Sequence, residues 1–182
     1  VGAQSSVINN GRFINWPSGQ ARPTGWEDWA NCNQDPNIQS GYGWNGRRFV
    51  RMNYQPSMGD QGMRQDIDGF RGTTEPYNLD IEVAIPFGGA TGTGLYGAMV
   101  LLQCLDANGN YLGDADGQPK LWLEKDINGN IPGSGSGDGR IYRFNKRVNL
   151  VPGTRLVRLY LMSRWTVIGP PGANEAKTLD WY

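Results

Sequence analysis

The chain has 182 residues, and its 17 basic side chains balance its 17 acidic ones, so the formal net charge is zero at pH 7. That length buries a core without help from metal or disulfide and suits a single domain, while the balanced charge offers neither a basic stripe for nucleic acid nor a polybasic contact for a membrane. Histidine is absent, which removes Ser-His-Asp and Cys-His catalysis and His-ligated zinc together.

The chain opens with "VINNGRFINWPSG" (7–19) and "PTGWEDW" (23–29). It has neither the charged-then-apolar build of a secretory leader nor, further on, an apolar run of the roughly 20 residues that span a bilayer. Trp16, Trp26 and Trp29 read as packing aromatics. Cys32 and Cys104 permit one disulfide, but Cys104 ends an apolar run and reads equally well as a buried thiol.

From residue 47 onward, short runs alternate apolar and polar: "RRFVRMNY" (47–54), "YNLDIEVAIPF" (77–87), "LYGAMVLLQCL" (95–105), "KLWLEK" (120–125), "GRIYRFNKRVNL" (139–150) and "TRLVRLYLMSRW" (154–165). A period of two over such lengths predicts half-buried strands, and turn signals between many short strands predict an all-β antiparallel sandwich or barrel. Alternation assigns faces. Leu79, Ile81, Val83 and Ile85 point one way, with Asp80 and Glu82 opposite. Val157, Leu159 and Leu161 point inward; Arg158, Tyr160, Met162 and Arg164 point outward. Leu121 and Leu123 are inward, with Trp122 and Glu124 outward.

Those outer faces are rich in aromatics, arginines and carboxylates. Saccharides bind by laying C–H faces on aromatic rings while charged and amide groups take the hydroxyls, a mix of apolar surface and a few polar groups common to ligand sites. Trp44, Trp122, Glu124, Tyr142, Arg158, Tyr160, Arg164 and Trp165 are therefore the candidate ligand-binding residues. Asp80 and Glu82 stand about 7 Å apart by strand rise, a separation glycosidases use for paired carboxylates. Their plainer role is a salt-bridged outer face, with Arg158 and Arg164 as countercharges.

Two glycine-rich segments, "FGGATGTG" (87–94) and "PGSGSGDG" (132–139), lack the Lys-Ser/Thr ending of a phosphate loop and read as connections. Two similar phrases, "LDANGNYLGDADG" (105–117) and "KDINGNIPGSGSGDG" (125–139), evoke calcium loops. Counted from Asp106 or Asp126, however, glycine falls at the fourth position, and the twelfth is Gly117 or Gly137 where an EF-hand needs glutamate. Asn-Gly between alternating runs instead predicts a hairpin with a type I′ turn, braced by Asp106 and Asp126.

The order of these motifs resembles jelly-roll carbohydrate-binding modules appended to glycoside hydrolases. Asn10, Gly11 and Phe13 match the family's opening strand, and Gln65 in "GMRQDIDGF" matches the strand before Tyr77. Asp106 and Gly109 match a hairpin, and Asp180 in "LDWY" matches the closing strand. Related jelly-roll modules of bacteriophage tail, fibre and decoration proteins share the opening. The resemblance implies a jelly-roll β-sandwich over residues 1–182, with the chain ends in neighbouring strands. It implies a non-catalytic glycan-binding or adhesin-like module, extracellular or on a virion surface, whose partner is a polysaccharide or cell-surface glycan. The rival is a structural virion component contacting other virion subunits, and a carboxylate glycosidase stands behind both. No cofactor is expected. The family's structural calcium sits between Asp180 and an acid after the opening Phe, but here Ile14 stands in that place. Asn15 or a carbonyl would have to substitute.

Overall fold

In a computed structural model of the chain, residues 7–28, 38–42, 46–54, 61–72, 76–84, 94–115, 120–121, 141–167 and 177–181 are described. They form eleven strands: β1 (Glu27–Asp28), β2 (Ile38–Tyr42), β3 (Arg48–Tyr54), β4 (Gln61–Ile67), β5 (Pro76–Ala84), β6 (Gly94–Leu105), β7 (Tyr111–Asp114), β8 (Lys120–Leu121), β9 (Ile141–Asn149), β10 (Leu156–Val167) and β11 (Lys177–Trp181). The architecture is all-β. One sheet runs β1-β4-β10-β6-β7, with β8 also on β6; the other runs β2-β3-β11-β5-β9. Every pairing is antiparallel.

The two sheets share one core because their alternating residues meet. In the first sheet, Val157 stands between Ile67 and Cys104, and Leu161 between Met63 and Val100. In the second, Met52, Leu79, Ile81, Val83 and Val148 complete the same buried cluster. Burial of such side chains contributes roughly 1.5–3 kcal/mol each, which makes this interleaving the main source of stability. The inward assignments of Leu79, Ile81, Val83, Val157, Leu159 and Leu161 agree with their burial. Cys104 is a free, buried thiol within that core; Cys32 lies outside the described residues.

Three expectations change. The Asn10–Phe13 motif is not a strand: residues 7–12 form bends and turns, and Asn10 and Phe13 both take left-handed backbone, with φ of 52° and 58°. Among the described residues, the first and last strands are not neighbours, since β1 edges the first sheet while β11 lies between β3 and β5 in the second. The Asp106–Asn110 hairpin is also not type I′. Gly109 alone in this turn has positive φ, at 82°, and its N–H donates to the Asp106 carbonyl at 3.1 Å. This is a type I turn closed by a left-handed glycine, the usual three-residue hairpin loop. Asp106 braces it as expected, its carboxylate accepting the backbone N–H of Asn108 at 2.8 Å and of Asn110 at 2.9 Å. Those bonds hold the carboxyl below its ordinary pKa, with Asn110 the largest contributor. The twin phrase at 125–139 lies outside the described residues.

Candidate functional site

Strand β5 carries Asp80 and Glu82 on the face turned away from the core, and its register with β9 sets Glu82 opposite Arg143. Both carboxylates are paired. Arg143 donates from Nε to Asp80 Oδ1 at 2.9 Å and from Nη2 to Oδ2 at 2.6 Å, a two-pronged fit that suits a planar guanidinium. Arg47, just before β3, pairs with Glu82. The hydrogen bonds from Arg143 hold the Asp80 carboxyl below its ordinary pKa of 3.8. The salt-bridged reading of this face therefore agrees with the geometry, but the partners differ. Arg158, expected to face these acids, lies in the other sheet on β10 and grips Asp66 at 2.8 and 3.1 Å. That contact pulls the Asp66 pKa down and pushes the Arg158 pKa up.

The opening segment forms the second wall. The Phe13 N–H donates to the Asn10 carbonyl at 3.0 Å, closing a tight turn. The Asn10 side chain fixes that turn, donating to the carbonyls of Asn15 and Thr24 at 2.8 and 2.9 Å and accepting from the Asn15 N–H at 3.0 Å. Asn10 tolerates left-handed backbone, whereas for Phe13 the conformation costs about 1–2 kcal/mol. Burial of the Phe13 ring, only 1% exposed and 5.7 Å from the Trp26 ring, offsets that cost. With Phe13 driven inward, its neighbours Arg12 and Ile14 are turned out, and Ile14 is 71% exposed.

Gln65 on β4 ties this segment to the first sheet. It stands opposite Leu159 in an apolar inner row and is buried. Its amide accepts the Asn9 N–H at 2.7 Å and donates to the carbonyls of Asn9 and Gly25 at 2.7 and 3.2 Å. A buried amide needs such partners, so the glutamine acts as a latch for the opening loop. Trp16 and Trp26 are packing aromatics as expected, with their indole N–H groups donating to the carbonyls of Gln20 and Asn10. Trp29 lies outside the described residues.

Between the two walls lies an open groove of about 680 Å³, lined by Asn10, Arg12, Ile14 and the Arg47–Glu82 and Asp80–Arg143 pairs, among others. A smaller recess of about 210 Å³ adjoins it, sharing Arg12, Ile14 and Arg47 and adding Gly46 and Arg48. The groove thus mixes guanidinium and carboxylate groups with exposed aliphatic surface.

None of the candidate ligand-binding residues from the sequence is among the described residues that line this groove. Tyr160 is a correction. It does point away from the main core, but it is buried, forming with Met162 and Leu101 a second apolar cluster on the outer side of the first sheet. Its hydroxyl donates to Gln103 at 3.2 Å. Alternation identifies a face but not what covers it. Arg158 lies on that same side and is taken by Asp66. Arg164 and Trp165 stand on β10 opposite Gly97 and Tyr96, while Tyr142 stands on β9 of the other sheet, opposite Val83. These residues are thus divided between two sheets. Trp44, Trp122 and Glu124 lie outside the described residues. The groove residues that sequence reasoning missed are Arg12, Ile14, Arg47 and Arg143. Alternation in "RIYRFNKRVNL" offered a signal for Arg143, since it lines up Arg143, Asn145 and Arg147 against the acidic face of β5. Among the described residues, no group of three or more His, Cys, Asp or Glu side chains is placed to hold a metal.

No protein-family model and no curated protein matches this sequence. Among solved structures, the chain is similar to the enzymatically active domain of bacteriophage CBA120 tailspike protein 4, with a TM-score of 0.54 and 9% identity. The match covers 97% of this chain and 20% of the other, so the chain spans about a fifth of that protein's length. At that identity the likeness shows the fold. Looser likenesses extend to a carbohydrate-binding module specific for non-crystalline cellulose (TM-score 0.47, 12% identity, 92% of this chain and 89% of that one). A gingipain adhesin domain is similar at a TM-score of 0.41 and 14% identity, over 94% of this chain and 95% of that one.

Proposed function

We propose that the protein is a non-catalytic glycan-binding or adhesin-like module with jelly-roll connectivity, displayed outside the cell on a viral appendage or a polysaccharide-degrading enzyme. The observation that carries this reading is the open groove, in which paired arginines and carboxylates stand beside the exposed Ile14. Fixed guanidinium and carboxylate groups present donors and acceptors to hydroxyls at set positions, while Ile14 and the methylene stems of the arginines offer apolar surface to C–H faces. The environment of Asp80 disfavours a role as the acid of a glycosidase. A glycosidase acid needs a raised pKa, whereas Arg143 lowers that of Asp80.

A second reading, a structural virion subunit, draws on β7, where Tyr111 and Leu112 are 58% and 38% exposed and would suit a protein neighbour. A glycan array, followed by affinity electrophoresis of Arg143→Ala and Asp80→Asn, separates the two. The expected result is retention by at least one polysaccharide, reduced about tenfold in Arg143→Ala, because a charge-assisted hydrogen bond contributes about 1.5–3 kcal/mol. Failure to bind any saccharide, together with assembly into oligomers through β7, would favour the structural reading.

A further inference from the structure

Resting on the glycan-binding reading, we infer that the groove takes an anionic saccharide and that Arg12 is the residue that recognises its carboxylate. The charges in the groove are unequal. Among the described residues of the lining, three guanidinium groups, on Arg12, Arg47 and Arg143, face two carboxylates, on Asp80 and Glu82. Asp80 is held by Arg143 and Glu82 by Arg47, so neither acid is left to repel an anion or to compensate Arg12. Arg12 is exposed and makes no ion pair with any described carboxylate. Arg143 commits Nε and Nη2 to Asp80, and its side chain remains 59% exposed, so a further edge of that guanidinium is also open to the groove.

The backbone points the same way. Arg12 and Ile14 face outward because Phe13 is held in a left-handed conformation, a cost met by the Asn10 side chain and by the buried Phe13 ring. The segment therefore fixes a cation and an apolar side chain on either side of one buried anchor. A guanidinium donates two parallel hydrogen bonds to a carboxylate, which a neutral hydroxymethyl group cannot accept in the same geometry. A uronic-acid ring fits this pairing, with its carboxylate on Arg12 and its C–H face on Ile14.

The test uses matched probes that differ only in charge, namely polygalacturonate, alginate and hyaluronan, each beside its methyl-esterified form, with an uncharged glucan as reference. Binding is measured by calorimetry at low and high salt. At least one acidic polymer should bind about tenfold or more tightly than its ester. That preference should shrink as salt rises, vanish in Arg12→Ala and partly survive in Arg12→Lys. Because Arg12 is exposed, the melting temperature of these variants should match that of the parent, which separates a lost contact from a lost fold. Equal affinity for acid and ester, or a preference that survives Arg12→Ala, overturns the assignment. Binding of the glucan alone overturns it too, while leaving the glycan-binding reading intact. Binding to no saccharide removes both.

Discussion

At the scale of single residues, Gln65 is the position on which the groove depends. Its strand neighbours on the inner side, Met63 and Ile67, are buried apolar residues, and Leu159 faces it across the ladder. Replacement by Leu would keep the volume but strand the Asn9 N–H and the carbonyls of Asn9 and Gly25. A cost of about 3 kcal/mol is expected, read by urea denaturation. A loss below about 1 kcal/mol would mean that the opening loop holds itself in place. The sequence offered only part of this. Gln65 matched a family pattern by position, and alternation sets it on the inner side with Met63 and Ile67, but the partners that make its burial tolerable lie 56 and 40 positions away, beyond what a local pattern reaches. Arg12 was hidden for a related reason. The left-handed turn that points it outward is set by Asn10 and Phe13 acting together, and a period-two reading does not anticipate it.

Among the elements, the strands were legible and their surroundings were not. The runs around 47–54, 95–105 and 154–165 became β3, β6 and β10 because the branched and aromatic residues in them suit a pleated surface and their period is two. What covers each outer face was invisible, and Tyr160 shows the consequence. On the second sheet the edge strand β2 gives another case. Gly41 lies opposite Phe49, and a Cβ built on the glycine would come within 2.3 Å of the Phe49 ring. The guanidinium carbon of Arg51 lies 4.8 Å from that ring's centroid, and Phe49 is 7% exposed. A glycine in a strand thus marks where an aromatic side chain folds across its neighbour. Gly41→Val should displace the ring and destabilise the protein by about 1–3 kcal/mol, with loosened amide protection along β2. Unchanged stability would show that the ring relocates freely.

For the molecule as a whole, the ionic pairs set an acid limit. Asp66 and Asp80 both titrate below the ordinary value of 3.8, chiefly through hydrogen bonds from Arg158 and Arg143. A carboxyl depressed in the folded state binds fewer protons there than in the unfolded state, so its contribution is complete above 3.8 and is lost as pH falls from that value through the folded one. Both acids are nearly half exposed, which limits each contribution to at most about 1 kcal/mol. Without histidine, little else titrates between about pH 5 and 8. The melting temperature should therefore hold level across that range and decline below about pH 4. The decline should be shallower in Arg143→Gln and Arg158→Gln. A marked step near pH 6 would contradict this account.

The position of β11 has a consequence for how the chain is made. Synthesis runs from the first residue to the last, yet β11 (177–181) is the strand that joins β3 to β5. Until it leaves the ribosome, the second sheet exists as two separate parts, β2-β3 and β5-β9, in each of which the strand that β11 later covers, β3 or β5, is an additional raw edge. Such edges invite pairing with other chains, and closing them joins segments far apart in sequence, which is slow. The nascent protein therefore carries its groove-bearing sheet unfinished until residues 177–181 have emerged, and its yield in a cell should depend on what shields β3 and β5 during that interval.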